Sequence, residues 1–421
     1  VSIQLLVVMV PVFFGFMGFA IDLGRLYLIR GELTTAANAM AIAAASQLNG
    51  TDNATTAAAT AAALTLNDLY SNGVRNDGNT YNFGNVFLNT GTAFLNSSAP
   101  TPFFFDTAAN ALAAGSGATG GNADGTTAQY AQANITADAP LIFWAVMPTA
   151  QSRKTTIAAS AVAGVSAPLC TACDIDIIGI AALDQTDTVN WGFTVNTHYT
   201  FGYTCTGAAA GPLTGDASLI SYLLINRYDT TSAISELNQL FNDGAEGIGP
   251  STNPAQACMT INVGTDVVWA TATTEACRAA SPNGSVEAML CGLTTRLDPN
   301  AAASTYASSC AAVGDVTTLA ANFSTDTDVA EYDDFTQYTG DNRRVLTVAI
   351  VDTLSTSATM NILGFRQFLL EPTSGLTSNN PTDGDGRFSV LYMGNPLPLK
   401  QGRFDGGCGV ASGPGKVVLF Q

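Results

Sequence analysis

The chain opens on 21 residues without a charge, Val1–Ile21 (VSIQLLVVMVPVFFGFMGFAI). At 1.5 Å per residue they reach roughly 32 Å as a helix, enough to cross a hydrocarbon core of about 30 Å. A secretory signal peptide has a shorter apolar region after a basic one, whereas here Arg25 and Arg30 follow the run. Val1 stands without an initiator methionine, which implies an upstream segment lost by processing or truncation. Pro11 deletes one backbone hydrogen bond and predicts a bend, which membrane helices tolerate.

The pattern continues past the apolar run. Leu23, Leu26, Tyr27, Leu33, Ala37, Met40, Ala41, Ala44 and Leu48 recur at spacings that suit one helical face. A helix from Val1 to Leu48 is roughly 70 Å long. The alanines of its second half favour helix and let a neighbouring element approach closely. A single-pass anchor needs only the first 21 residues. A helix that rests in the membrane and is later buried against copies of itself uses the whole length. The residues carrying either role are Ile3, Leu5, Leu6, Val7, Met9, Val10, Pro11, Phe13, Phe14, Phe16, Met17, Phe19, Asp22, Arg25 and Leu26. Asp22 and Arg25, three apart, either pair within the helix or mark its interfacial end.

The stretch Ala20–Gln47 (AIDLGRLYLIRGELTTAANAMAIAAASQ) resembles the N-terminal region of TadE/TadG-like proteins of the Flp, or tight-adherence, pilus system. Asp22, Gly24, Arg25, Tyr27, Arg30, Leu33, Ala36, Ala37 and Asn38 carry the match. Weaker echoes lie at Ile142–Pro168 and Arg343–Leu370. The resemblance implies a structural, pilin-like subunit of an extracellular, cell-surface filament. Its partners are copies of itself, the inner membrane before assembly, and the secretion or pilus-assembly machinery there. The alternative is a monomeric, membrane-anchored TadG-like assembly or adhesion protein. One feature departs from type IV pilins, which carry a glutamate near the mature N-terminus: this chain has Gln4 and no acid before Asp22.

Beyond the helix, 49–167 reads as a second Ala/Thr-rich helix (Asn53–Leu69) followed by strands at Asn79–Asn96, Ile135–Val146 and Thr155–Val165, with a Gly/Ala/Thr loop at 113–127. The third part, 168–421, holds all eight cysteines. Its expected helices are Ala217–Arg227, Ser232–Asn242 and Ser285–Arg296; its expected strands are Trp191–Tyr203, Val345–Val351, Phe388–Tyr392 and Val417–Phe420. The fold class is α+β, a long apolar helix followed by a β-rich globular portion with disulfides.

Cysteine usage points to an oxidising, extracytoplasmic compartment. Cys258/Cys277 and Cys291/Cys310 share one separation and suggest two pairs, leaving Cys170/Cys173 and Cys205/Cys408. Cys170-Thr-Ala-Cys173 lacks the βαβ context of a redox motif and the further ligands of a zinc site.

No constellation supports catalysis, a metal or a cofactor. His198 is the sole histidine and has no nucleophile motif beside it, so a membrane-stalked hydrolase is the weakest of three function classes. Asp352-x-x-Ser355-x-Ser357 is one residue too long for an Asp-x-Ser-x-Ser metal motif and reads as a strand-end turn. The acids Asp326, Asp328, Glu331, Asp333 and Asp334, and the pair Asp383 and Asp385, depart from EF-hand spacing and read as solvated surface. Phe103–Phe105 reads as buried core.

Charge separates the parts. Acids outnumber bases 33 to 15 with three lysines, which excludes a phosphate-neutralising surface. Residues 1–48 are formally neutral, so the net charge of −18 lies outside the helix, and 168–421 carries 25 acids against 10 bases. The implied protein is a neutral apolar stem bearing an acidic domain.

Overall fold

A computed structural model describes residues 2–70, 101–115, 120–141, 154–173, 175–203, 211–225, 258–262, 264–265, 285–297, 310, 326–355, 359–372, 380–381, 383–395, 397–399, 402–403 and 414–420. In chain order the elements begin with α1 (Ser2–Ala45), α2 (Ala54–Tyr70), β1 (Phe103–Phe105), α3 (Ala108–Ala114), β2 (Tyr130–Pro140) and β3 (Lys154–Val165). They continue with β4 (Thr171–Cys173), β5 (Ile178–Ala181), β6 (His198–Gly202), β7 (Ser218–Leu224), β8 (Cys258–Thr260), β9 (Gly264–Thr265) and α4 (Ser285–Leu297). The last are β10 (Val345–Val351), β11 (Met360–Leu370), β12 (Phe388–Gly394), β13 (Gly402–Arg403) and β14 (Val417–Phe420). The chain divides into two units: one holds 1–50, 54–165 and 417–421, the other 51–53 and 166–416.

The first unit is a helix laid on an alanine-faced sheet. Its strands run β1-β2-β3-β14, all antiparallel. Strand periodicity sends Ala131, Ala133, Ile135, Ala137 and Ala139 of β2 to one face, opposite Ala159, Ala161 and Ala163 of β3. Against that face α1 turns Ile29, Leu33, Ala36, Ala37, Met40, Ala41, Ala44 and Ala45, all buried. Alanine dominates both surfaces, so helix and sheet approach closely, with Ile29, Leu33, Met40 and Ile135 as the larger side chains between them. The second helix adds Ala58 and Ala62 to this core. The other sheet face packs Val162 and Phe105 with Ala111 of α3, which Thr107 caps by accepting from the Asn110 N–H.

The second unit is built on a closed barrel. β10, β5, β7, β6, β12 and β11 each pair with two neighbours, and β10–β11 closes the ring; β9 adds to β11. Two pairings, β10–β5 and β6–β7, are parallel. Inward-facing Phe201, Phe368, Phe388 and Tyr392 form an aromatic interior with Phe193, neighbouring rings standing 5.0–5.5 Å apart. The alternate residues Leu369, Leu391 and Met393 face outward and are covered by Tyr338 in the segment before β10. The described side chains of α4 are buried as far as Arg296, which reaches Asp176, whose other oxygen accepts from the Thr347 N–H. At Gly386, φ is +62° and a Cβ would lie 2.6 Å from Val286 Cγ1, so only glycine fits.

The expected α+β architecture, with its long apolar helix and β-rich remainder, is present. Several local expectations are corrected. Ala217–Arg227 was expected as helix, but Ser218–Leu224 is strand β7, because its apolar residues are buried within the barrel. Trp191–Tyr203 is strand only from His198; Trp191 and Asn196 have positive φ and turn the chain before it. Val345–Val351 is strand β10, as expected, and the echo at Arg343–Leu370 spans the antiparallel pair β10–β11. The C-terminal strand β14, expected with the third part, pairs with β3 of the first unit. The expected strands at Asn79–Asn96 and the helix at Ser232–Asn242 lie outside the described residues.

The disulfides differ in part. Cys291–Cys310 forms, but Cys173 bonds Cys258 in place of the expected Cys170/Cys173 and Cys258/Cys277. Those two residues face each other in the β4–β8 register with Cα atoms 4.0 Å apart. Cys170 and Cys173 are three residues apart through an extended strand, roughly 10 Å, beyond the reach of one bridge. Cys170 is bonded elsewhere, and Cys205, Cys277 and Cys408 lie outside the described residues.

Candidate assembly surface on the N-terminal helix

One helix carries two kinds of surface. From Leu6 to Met17 the described side chains of α1 are exposed on every side, including Val7, Met9, Val10, Pro11, Phe13, Phe14 and Phe16, the last 71% exposed. Helical structure runs through Pro11. Ile3 and Leu5 lie on the same helix, and their side chains are outside the description. From Gly18 onward one face is covered by the rest of the chain: Gly18, Asp22, Ile29, Leu33 and then the alanine stripe. Their spacing of three and four is that of a single helical face.

That face is not quite the one read from the sequence. Leu26 packs against the core, but Leu23 and Tyr27 point away from it, Tyr27 being 78% exposed. Each is an apolar residue at nearly helical spacing, and the two faces differ by one position. Asp22 is 5% exposed and Arg25 half-buried, so the first charged residues of the helix turn inward. The signal available was Gly18 four residues before Asp22, which continues the Ile29–Leu33 row backwards.

Met9–Ala45 is a helix long and apolar enough to cross a membrane. Its exposed apolar side chains require a non-aqueous environment, because each buries apolar area worth about 25 cal/mol per Å² when taken out of water.

The second unit buries several ionisable side chains. Among the described residues no group of three or more His, Cys, Asp or Glu is placed to hold a metal ion. Asp326 and Asp328, expected as solvated surface, are buried. Tyr338 Oη donates to Asp326 Oδ2 and Tyr332 Oη to Asp328 Oδ2, both at 2.6 Å, which replaces the water they lose. Burial raises the Asp328 carboxyl, yet hydrogen bonds from Tyr332, Thr339 and Ala330 outweigh it and hold the group below its ordinary range. Arg344, wholly buried, donates to the carbonyls of Leu370, Asp328 and Ala330, and its Nη2 lies 3.2 Å from Glu371 Oε2. Burial pushes the Glu371 carboxyl up to about 8 against the pull of Arg344. These groups tie the segment before β10 to the barrel wall.

The remaining candidates are structural. Asp352 follows β10 and accepts from the Asn361 side-chain amide and the Thr353 N–H, as a strand-end turn requires. His198 lies on β6 with Nε2 3.5 Å from the exposed Asp333. Asp383 pairs with Arg387 at 3.0 Å. Phe103–Phe105 forms β1, with Phe105 buried.

Residues 2–47 match the family model described as putative Flp pilus-assembly TadE/G-like, a span that coincides with α1 and its C-terminal turn. The match points to a Tad pilus-related role at the membrane or cell surface. No curated protein and no solved structure matched the chain.

Proposed function

We propose that the chain is a structural, pilin-like subunit of an extracellular filament, held in the inner membrane by α1 before assembly and joined to copies of itself through that helix afterwards. The observation that carries this reading is the continuity of α1. One unbroken helix is exposed and apolar on all sides at its N-terminal half and inlaid in the sheet of the first unit at the other. Such an element cannot rest on a surface, because lying flat would leave half of it in water. It needs enclosure, first by lipid and then by neighbouring helices, and exchanging one for the other leaves apolar area dry throughout. A head-to-tail repeat that does not close gives an open polymer. The acidic second unit then forms the outer layer.

A second reading keeps the chain as a monomeric, membrane-anchored assembly protein. It is favoured by the exposed, apolar N-terminal part of α1, which by length and composition alone is enough to anchor the chain in a bilayer. Sheared cell-surface filaments, imaged by negative stain and identified by peptide mass, test the choice. The filament reading expects this chain in the sheared fraction; retention in the membrane fraction, with no filament containing it, refutes that reading.

A further inference from the structure

The charge-free run ends at Ile21, so hydropathy alone puts the membrane boundary of α1 at Asp22. The structure moves it. Asp22 and Arg25 turn into the chain, and the open face beyond Gly18 presents Phe19, Ile21, Leu23, Gly24, Tyr27 and Leu28 without interruption. A Cβ at Gly24 would meet nothing within 4 Å, so no described part of the chain covers that face there. The next exposed charge is Arg30, followed by exposed Thr34 and Thr35, whose hydroxyls donate to the carbonyls of Arg30 and Gly31.

We infer that α1 is in lipid as far as Leu28 on this face, about 10 Å beyond Ile21, with Asp22 and Arg25 sheltered by the folded chain at that depth. The inference rests on the membrane-held state in the reading above. Three features favour lipid over a second copy as the occupant. The face is continuous with the fully exposed half. The charge-free face from Ser2 to Leu28 covers about 39 Å, a length that a tilted helix fits within a hydrocarbon core of about 30 Å. Tyr27 and Arg30 stand at its end, where a phenol and a guanidinium prefer the headgroup layer. The folded chain is therefore seated against the membrane at this end of the span, and the covered face of α1 replaces lipid around the two charges.

The test places p-benzoylphenylalanine at Phe13, Leu23, Tyr27 or Thr34 of the full chain in vesicles of phosphatidylethanolamine and phosphatidylglycerol. Amide protection of β2 and β3 confirms that each chain is folded. After irradiation, intact mass should show lipid adducts at Phe13, Leu23 and Tyr27 and at least tenfold less at Thr34. Lipid adducts at Phe13 with dimer adducts at Leu23 and Tyr27 would assign the face to a second copy and overturn the inference alone. Lipid at Phe13 with no adduct at Leu23 or Tyr27 would return the boundary to Asp22. No lipid adduct at any position would overturn the membrane-held state itself.

Discussion

Replacing Ala41 by leucine tests whether the alanine inlay holds the first unit together. Ala41 is fully buried in the α1 stripe, among Ala37, Met40, Ala44 and Ala45, on the face packed against the alanines of β2 and β3. Leucine adds three heavy atoms where the opposing surface is mostly alanine, whose methyl groups cannot move aside without a shift of the backbone. Overpacking of this kind costs about 1–3 kcal/mol. For a unit of this size each kcal/mol shifts Tm by roughly 2–4 °C, so a cost of about 2 kcal/mol lowers it by roughly 4–8 °C. The control lies on the same helix. Phe13→Ala removes a larger side chain from a position 63% exposed, and exposed substitutions usually stay within about 0.5 kcal/mol. Thermal melts of full-length protein in detergent, with amide exchange of β2 and β3 peptides to isolate the first unit, report both. Equal stability of Ala41→Leu and wild type, or a larger loss from Phe13→Ala, would refute the two-surface description of α1.

Further expectations follow from the same structure. Gly24→Leu should leave the melting of the detergent-solubilised chain within about 0.5 kcal/mol of wild type, because the site is open; in the filament reading it abolishes polymer visible by negative stain if neighbouring helices meet there. Removing Cys173–Cys258, which closes 85 residues, should cost about 4.5 kcal/mol, against about 3 kcal/mol for Cys291–Cys310 across 19 residues; urea midpoints of the paired serine variants give the order, and the reverse order would count against it. Glu371 holds its proton more tightly when folded than unfolded, its carboxyl standing at about 8. The folded state therefore binds the extra proton between about pH 4.5 and 8, and stability should fall as pH rises through that window. Glu371→Gln should flatten this slope in urea titrations at pH 5 and 8.5, and an unchanged slope would assign it to other groups.

The acidic segment before β10 shows where reading the chain linearly stops. Asp326 and Asp328 look like solvated surface because five acids fall within nine residues. Their burial depends on Tyr332, Tyr338 and Arg344, whose side chains supply the donors that water would otherwise provide. Local composition records the cost of burying a carboxylate but not the partner that offsets it. The same holds for β7, where the local pattern suits a helix and the barrel imposes a strand: tertiary packing overrides weak local preference. Cys173–Cys258 likewise follows from strand register, a relation between segments 85 residues apart.

What a linear reading captures well is whatever depends on near neighbours: the length of α1, its alanine-rich second half, the helix at Ser285–Leu297, strands such as Val345–Val351, and the division between neutral stem and acidic remainder. Periodicity and composition are local quantities, so they survive without knowledge of the fold. Which face of α1 is covered is not local. Leu23, Leu26 and Tyr27 fit almost the same helical row, and only the sheet behind Leu26 separates a core residue from an open one. Asp22 appeared to end the apolar segment, yet the folded chain turns it inward and carries the apolar surface on to Leu28. Solvent exposure belongs to the packed molecule, because a side chain meets water, lipid or protein according to what distant segments bring beside it.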